Sequence, residues 1–149
     1  MKYLKLFEAF NNQEFIWIHG LPGSGKSHLS NKISMENLDK SYVVLDDISS
    51  IDDVLEQMNE NRNIILTSPY FENYNNYGLD KKLKNILDNS NYSIKEYWFE
   101  NNPKACIENV SKRQSHKIGS TALIPEIWYY SKNYKIPTDA ETISVWQGE

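Results

Sequence analysis

Short apolar runs of β-formers alternate along this chain with stretches whose apolar residues recur at helical spacing. Phe15-Ile16-Trp17-Ile18 predicts a strand over 14–19. Tyr42-Val43-Val44-Leu45 predicts a second, buried by its β-branched content, and Ile64-Ile65-Leu66-Thr67 a third. Residues 93–99 and 141–146 fit a fourth and a fifth. Between them the period changes. Helices are predicted over 2–10, from about 25 to 36, over 51–61 with Ile51, Val54, Leu55 and Met58 on one face, and over 79–89 with Leu79, Leu83, Ile86 and Leu87 inward. Two more follow, from 103 to about 112 and over 125–134, each opened by a proline suited to a first helical turn. Ser49 or Ser50 is placed to cap the helix at 51. Strand alternating with helix predicts an α/β fold, a doubly wound parallel five-stranded sheet with helices on both faces.

The junction between the first strand and its helix carries the chemistry. Gly20-Leu21-Pro22-Gly23-Ser24-Gly25-Lys26-Ser27 satisfies G-x-x-x-x-G-K-[ST] in full. The strand before it and the helix opening at His28 after it are the context that this motif requires. Glycines let backbone N–H groups converge on a phosphate, and the helix N-terminus adds partial positive charge. Residues 20–28, through His28, are therefore the candidate nucleotide-binding set, with Lys26 for the β- and γ-phosphates and the Ser27 hydroxyl for Mg²⁺. The alternative is a Gly-rich turn that binds nothing.

Asp46-Asp47 ends the second predicted strand. Ligands of open α/β sheets bind at the carboxyl ends of the strands, the edge to which strand 1 delivers the loop. A carboxylate there can hold Mg²⁺ or accept a proton from an attacking hydroxyl. The plainer alternative is a turn with solvated acids. The arginines are Arg62, before strand 3 and away from the loop, and Arg113. Arg113 lies in Lys112-Arg113-Gln114-Ser115-His116-Lys117, entering a Gly119-containing loop. That stretch reads either as a lid, around 112–124, bringing Arg113 and Lys117 over the phosphates, or as a helix end whose cations suit its dipole. His19, which ends strand 1, reads as a structural residue.

Composition narrows the field. In 149 residues, 40% hydrophobic, the chain is large enough for one cored domain, expected to span 1–149. A net charge of −4 provides no basic field for duplex DNA, although a nucleic-acid end could still enter a local pocket. No apolar run is long enough to cross a membrane, and Lys2, Lys5 and Glu8 interrupt any signal-peptide core. The lone cysteine, Cys106, reads as a small buried hydrophobe and fits a reducing, cytoplasmic setting.

With the loop, the acidic pair and the stretch V-S-K-R-Q-S-H-K…I-P-E-I-W-Y-Y-S-K on the page, the chain from 14 to about 137 resembles the P-loop kinases typified by the kinase domain of phage polynucleotide 5′-kinase. The resemblance implies ATP and Mg²⁺ as cofactors. It implies transfer of the γ-phosphate to a hydroxyl on a polynucleotide 5′ end, a nucleotide or a nucleoside. Asp46 matches the family's general base, and Arg113 and Lys117 fall at lid positions where the family uses arginines. Ser49 stands where the family carries an arginine, and Leu66-Thr67-Ser68 where it carries an Asp. The rival reading is a P-loop ATPase or regulatory ATP-binding module. In it Asp46 and Asp47 are Walker B acids, and Thr67 or Ser68 senses the γ-phosphate. Against it stands the short stretch from Ser27 to Tyr42, which leaves no room for an intervening strand.

Overall fold

The computed structural model describes residues 13–46, 50–67, 79–114 and 123–147. Within them run β1 (Glu14–His19), α1 (Lys26–Glu36), a 3₁₀ turn (Leu38–Lys40), β2 (Val43–Asp46), α2 (Asp52–Asn59), β3 (Ile64–Thr67), α3 (Leu79–Asp88), β4 (Ser93–Phe99), α4 (Pro103–Gln114), α5 (Leu123–Asn133) and β5 (Thr142–Ile143). The helix expected over 2–10 lies outside the described residues.

The strands form one five-stranded sheet in the order β2-β3-β1-β4-β5. Every neighbouring pair is parallel. β1 sits at the centre and is buried from Phe15 onward. Its alternating side chains divide the core, as the period of two requires. Phe15 and Trp17 pack with Val54 of α2 and with Leu83 and Leu87 of α3. Ile16 and Ile18 face the other way, with Ile65, Phe99 and, from α1, Leu29 and Ile33. Helices thus cover both faces, and the expected α/β class is the observed one. A third cluster joins α4 and α5 to the loop after β1 and to the segment after β5, through Cys106, Val110, Ile127, Tyr130, Leu21 and Val145.

β2 departs from expectation. It is an edge strand, with Val44 41% exposed, because β3 rather than β2 pairs with β1. The N-cap of α2 is Ile51, which provides no side-chain cap, and Ser50 lies one residue outside it, its Oγ accepting the Asp52 N–H at 3.1 Å. α4 runs on to Gln114, and α5 begins at Leu123, so Pro125 is its third residue. β5 stops at Ile143 instead of reaching 146. The reason lies in where the next backbone donors go. The Val145 N–H turns to Glu100 Oε1 at 3.2 Å and the Trp146 N–H to the Ser24 carbonyl at 2.9 Å, so neither extends the ladder. Cys106 is fully buried, and burial pushes its thiol up to about 11.

Candidate nucleotide site

β1 ends at the carboxyl edge of the sheet and hands the chain to the glycine loop. Gly23 (φ 83°) and Gly25 (φ 110°) both occupy the left-handed region, which side chains with a Cβ rarely enter. At Gly23 a Cβ would also sit 2.7 Å from the Cys106 carbonyl oxygen, so α4 packs directly on the loop's backbone. Gly25 is the N-cap of α1. It provides no side-chain cap, and the first turn of the helix has no acidic residue. The N-terminal amides of α1 therefore keep their partial positive charge uncompensated by an acid of that turn. Ser24 Oγ is buried without a hydrogen-bond partner. Both features fit a loop built to receive an anion.

The expected roles of the loop residues divide. Leu21 contributes only backbone, since its side chain is fully buried against α4 and α5. Lys26 is buried as well, at 7% exposure. Its ammonium donates to the Gly20 carbonyl at 3.0 Å and the Leu21 carbonyl at 2.9 Å. Ser27 and His28 are exposed in the first turn of α1. His28 stacks on Trp146, with ring centroids 4.5 Å apart.

Asp46 is the point of convergence. It ends β2 in register with Thr67 at the end of β3. Thr67 Oγ1, fully buried, donates to Asp46 Oδ1 at 2.7 Å. Ser27 Oγ approaches the other oxygen, Oδ2, at 3.5 Å, the outer limit of a hydrogen bond. A hydroxyl and a carboxylate side by side at a phosphate loop are the hard oxygen donors that suit Mg²⁺, which characteristically takes one or two protein ligands plus substrate phosphates.

The strand order also removes the objection raised from the sequence. A strand does lie between β1 and the Asp46 strand, but it is β3, supplied from downstream, so the short Ser27–Tyr42 stretch never had to contain it. Asp47 and Lys117 lie outside the described residues, as do Ser68 and most of the expected lid. Arg113 lies in the last turn of α4. His19 is structural, as expected. It is buried and stacked against Trp98 at 3.6 Å, with Nε2 3.0 Å from Glu96 Oε1. That hydrogen bond holds the Glu96 carboxyl below the usual range.

Sequence reasoning missed Asn109. This buried residue of α4 donates through Nδ2 to the Gly23 carbonyl at 2.9 Å and to the Trp146 carbonyl at 2.6 Å. It ties the glycine loop, α4 and the segment after β5 together. An asparagine inside a helix gives no sign of this, apart from being an odd choice at an otherwise apolar position beside Val110.

A parallel α/β sheet with a complete phosphate loop at its central strand, backed by a strand-end acid beside the loop serine, defines a P-loop nucleotide-binding domain. The comparison with known families agrees. Residues 2–97 match the family described as Novel STAND NTPase 3, and the chain belongs to that family. It is also 31% identical, over 132 residues, to an uncharacterized protein of Acanthamoeba polyphaga mimivirus, an alignment covering 85% of this chain and 90% of that protein. No solved structure matches the chain. What the family shares with the polynucleotide-kinase resemblance is the P-loop NTPase-type domain. No described helix is long and apolar enough to cross a membrane.

Proposed function

We propose that the chain binds a Mg²⁺–nucleoside triphosphate, ATP in the first instance, and hydrolyses it, acting as a P-loop NTPase rather than transferring phosphate to a dedicated acceptor. The observation that carries this reading is the placement of the two Asp46 oxygens, one bonded by Thr67 of the neighbouring strand at 2.7 Å and one lying 3.5 Å from the loop serine Ser27. A general base for an acceptor hydroxyl needs an oxygen turned to the acceptor. An acid whose oxygens face the loop serine and the neighbouring strand end is better suited to a metal and its water.

In this reading Lys26 exchanges the Gly20 and Leu21 carbonyls for phosphate oxygens, and the loop amides and the N-terminus of α1 neutralise the rest of the charge. Ser27 and Asp46 would hold Mg²⁺, which when bound offsets phosphate charge. Thr67 keeps the Asp46 carboxylate in one orientation. A water oxygen bonds to the γ-phosphorus, the bond to the β–γ bridging oxygen breaks, and the water's protons pass to phosphate and solvent. Arg113 and Lys117 would add cations over the leaving nucleoside diphosphate.

The test is the release of nucleoside diphosphate and inorganic phosphate with and without candidate acceptors: a nucleoside, a nucleotide and an oligonucleotide with a free 5′ hydroxyl. Hydrolysis is expected at the same rate in all of them. Turnover that appears only with an acceptor, with label found on that acceptor, would make Asp46 the acceptor base and restore the kinase reading.

A further inference from the structure

The segment after β5 does something that neither the phosphate loop nor Asp46 explains. It carries a tryptophan onto the first turn of α1 and leaves it there in solvent. Trp146 is 39% exposed, and its ring lies at 19° to that of His28, also exposed. The backbone beneath it is held firmly. The Trp146 N–H donates to the Ser24 carbonyl at 2.9 Å, and its own carbonyl accepts from Asn109 Nδ2 at 2.6 Å. The absent Cβ of Gly25 makes the room, since one built there would lie 2.6 Å from the Trp146 Cβ. An indole is thus pinned against the phosphate loop through that loop's own carbonyl, while a large part of its surface stays open.

We propose that the His28–Trp146 ring pair is the seat of the nucleobase, and that it selects purine nucleotides by stacking. The proposal rests on the nucleotide-binding reading above. It adds the part of the ligand that the phosphate loop cannot recognise. A flat, exposed aromatic surface beside the triphosphate cradle recognises a base by its face, and stacking increases with ring area. Purines therefore bind better than pyrimidines. Adenine and guanine are separated little, because a ring face reads no hydrogen-bonding edge. Trp146 is placed by its backbone bonds and not by its ring, so replacing the ring leaves the clasp on the loop in place.

The test is calorimetric titration of the full chain with a non-hydrolysable ATP analogue, the corresponding GTP and CTP analogues, and inorganic triphosphate, all with Mg²⁺. In the unaltered protein the ATP and GTP analogues should bind within a few-fold of one another and more tightly than the CTP analogue. Trp146→Ala should weaken both purine analogues by roughly tenfold or more and leave inorganic triphosphate unchanged, and Trp146→Phe should recover most of the loss. His28→Ala should give a smaller loss of the same kind. If Trp146→Ala weakens inorganic triphosphate as much as the ATP analogue, the ring only props the loop and the proposal fails. It also fails if Trp146→Ala leaves the purine analogues unchanged or if CTP binds as well as ATP. An unaltered protein that binds neither inorganic triphosphate nor any nucleotide would overturn the nucleotide-binding reading itself, and this inference with it.

Discussion

The two shoulders of the phosphate loop are built in opposite ways. On one side the carboxyl ends of β2 and β3 bring an exposed carboxylate, Asp46, to an exposed hydroxyl, Ser27, with the buried Thr67 as its support. On the other side α4 and the segment after β5 close on the loop through a buried amide, Asn109, and through the Cys106 and Val110 packing beneath Gly23. The first shoulder presents charge at its exposed end. The second packs Cys106 out of solvent, its thiol raised by burial. Side chains on the first can move to new partners, as metal and phosphate chemistry demands. Those on the second fix the backbone from which the first operates. The acid shoulder also lies wholly within the stretch matched by the NTPase family, whereas Asn109 and Trp146 lie beyond residue 97. Chemistry on one side and shape on the other is a division that substitutions can break.

Lys26 belongs to both shoulders and should show the largest effect. Lys26→Ala removes the charge meant for the phosphates, and turnover should fall by roughly a hundred- to a thousandfold. It also leaves the Gly20 and Leu21 carbonyls without their donor, at a cost of about 1 kcal/mol in a urea melt. Asp46→Asn should be the purest chemical lesion. Hydrolysis should fall by about a hundredfold while thermal stability and metal-free nucleotide affinity barely change. If it unfolds the protein instead, the acid shoulder is structural and the division is wrong.

Asn109→Ala tests the opposite side. It leaves the Gly23 and Trp146 carbonyls with no amide to bond them, so a loss of about 1–3 kcal/mol of stability is expected. Nucleotide affinity should fall with it, and the turnover of saturated enzyme should change much less. Thr67→Val keeps the shape and removes the donor to Asp46 Oδ1. Turnover should fall by roughly tenfold, consistent with one hydrogen bond of about 1.5 kcal/mol to a charged partner. Equal turnover would show that Ser27 alone orients the acid.

The smallest effect lies away from the loop, at Glu96. Its carboxyl is held below the usual range, first by the hydrogen bond from His19. A group depressed in the folded state contributes stability that is present at neutral pH and lost as pH falls through the ordinary carboxylate range toward the folded value. Glu96→Gln should therefore flatten the acid limb of stability against pH, measured as urea midpoints from neutral to acid pH. It should leave hydrolysis at neutral pH essentially unaltered. A change in turnover would give His19, one residue before Gly20, more than its structural part.

What local pattern determines was legible in the chain. β1, β3 and β4 lie where alternation and β-branched runs predicted them, and the octet from Gly20 to Ser27 announced its own loop and helix, because strand, left-handed glycines and helix start are properties of adjacent residues. The inward faces of α2 and α3 followed from periodicity for the same reason, and the burial of Cys106 from the apolar character of a free thiol. The tertiary structure decided the rest. That β3 passes between β1 and β2 depends on how completed units pack, and no local pattern encodes it. This single choice exposes Val44, sets Asp46 beside Thr67 and brings Asp46 to Ser27. It also removes the spacing objection to an NTPase. The bend that ends β5 at Ile143 is likewise non-local, because the donors of Val145 and Trp146 find acceptors on Glu100 and on the phosphate loop, far away in the chain. Asn109 has no sequence signature, since a side-chain amide becomes a clasp only when the fold places two carbonyls within its reach.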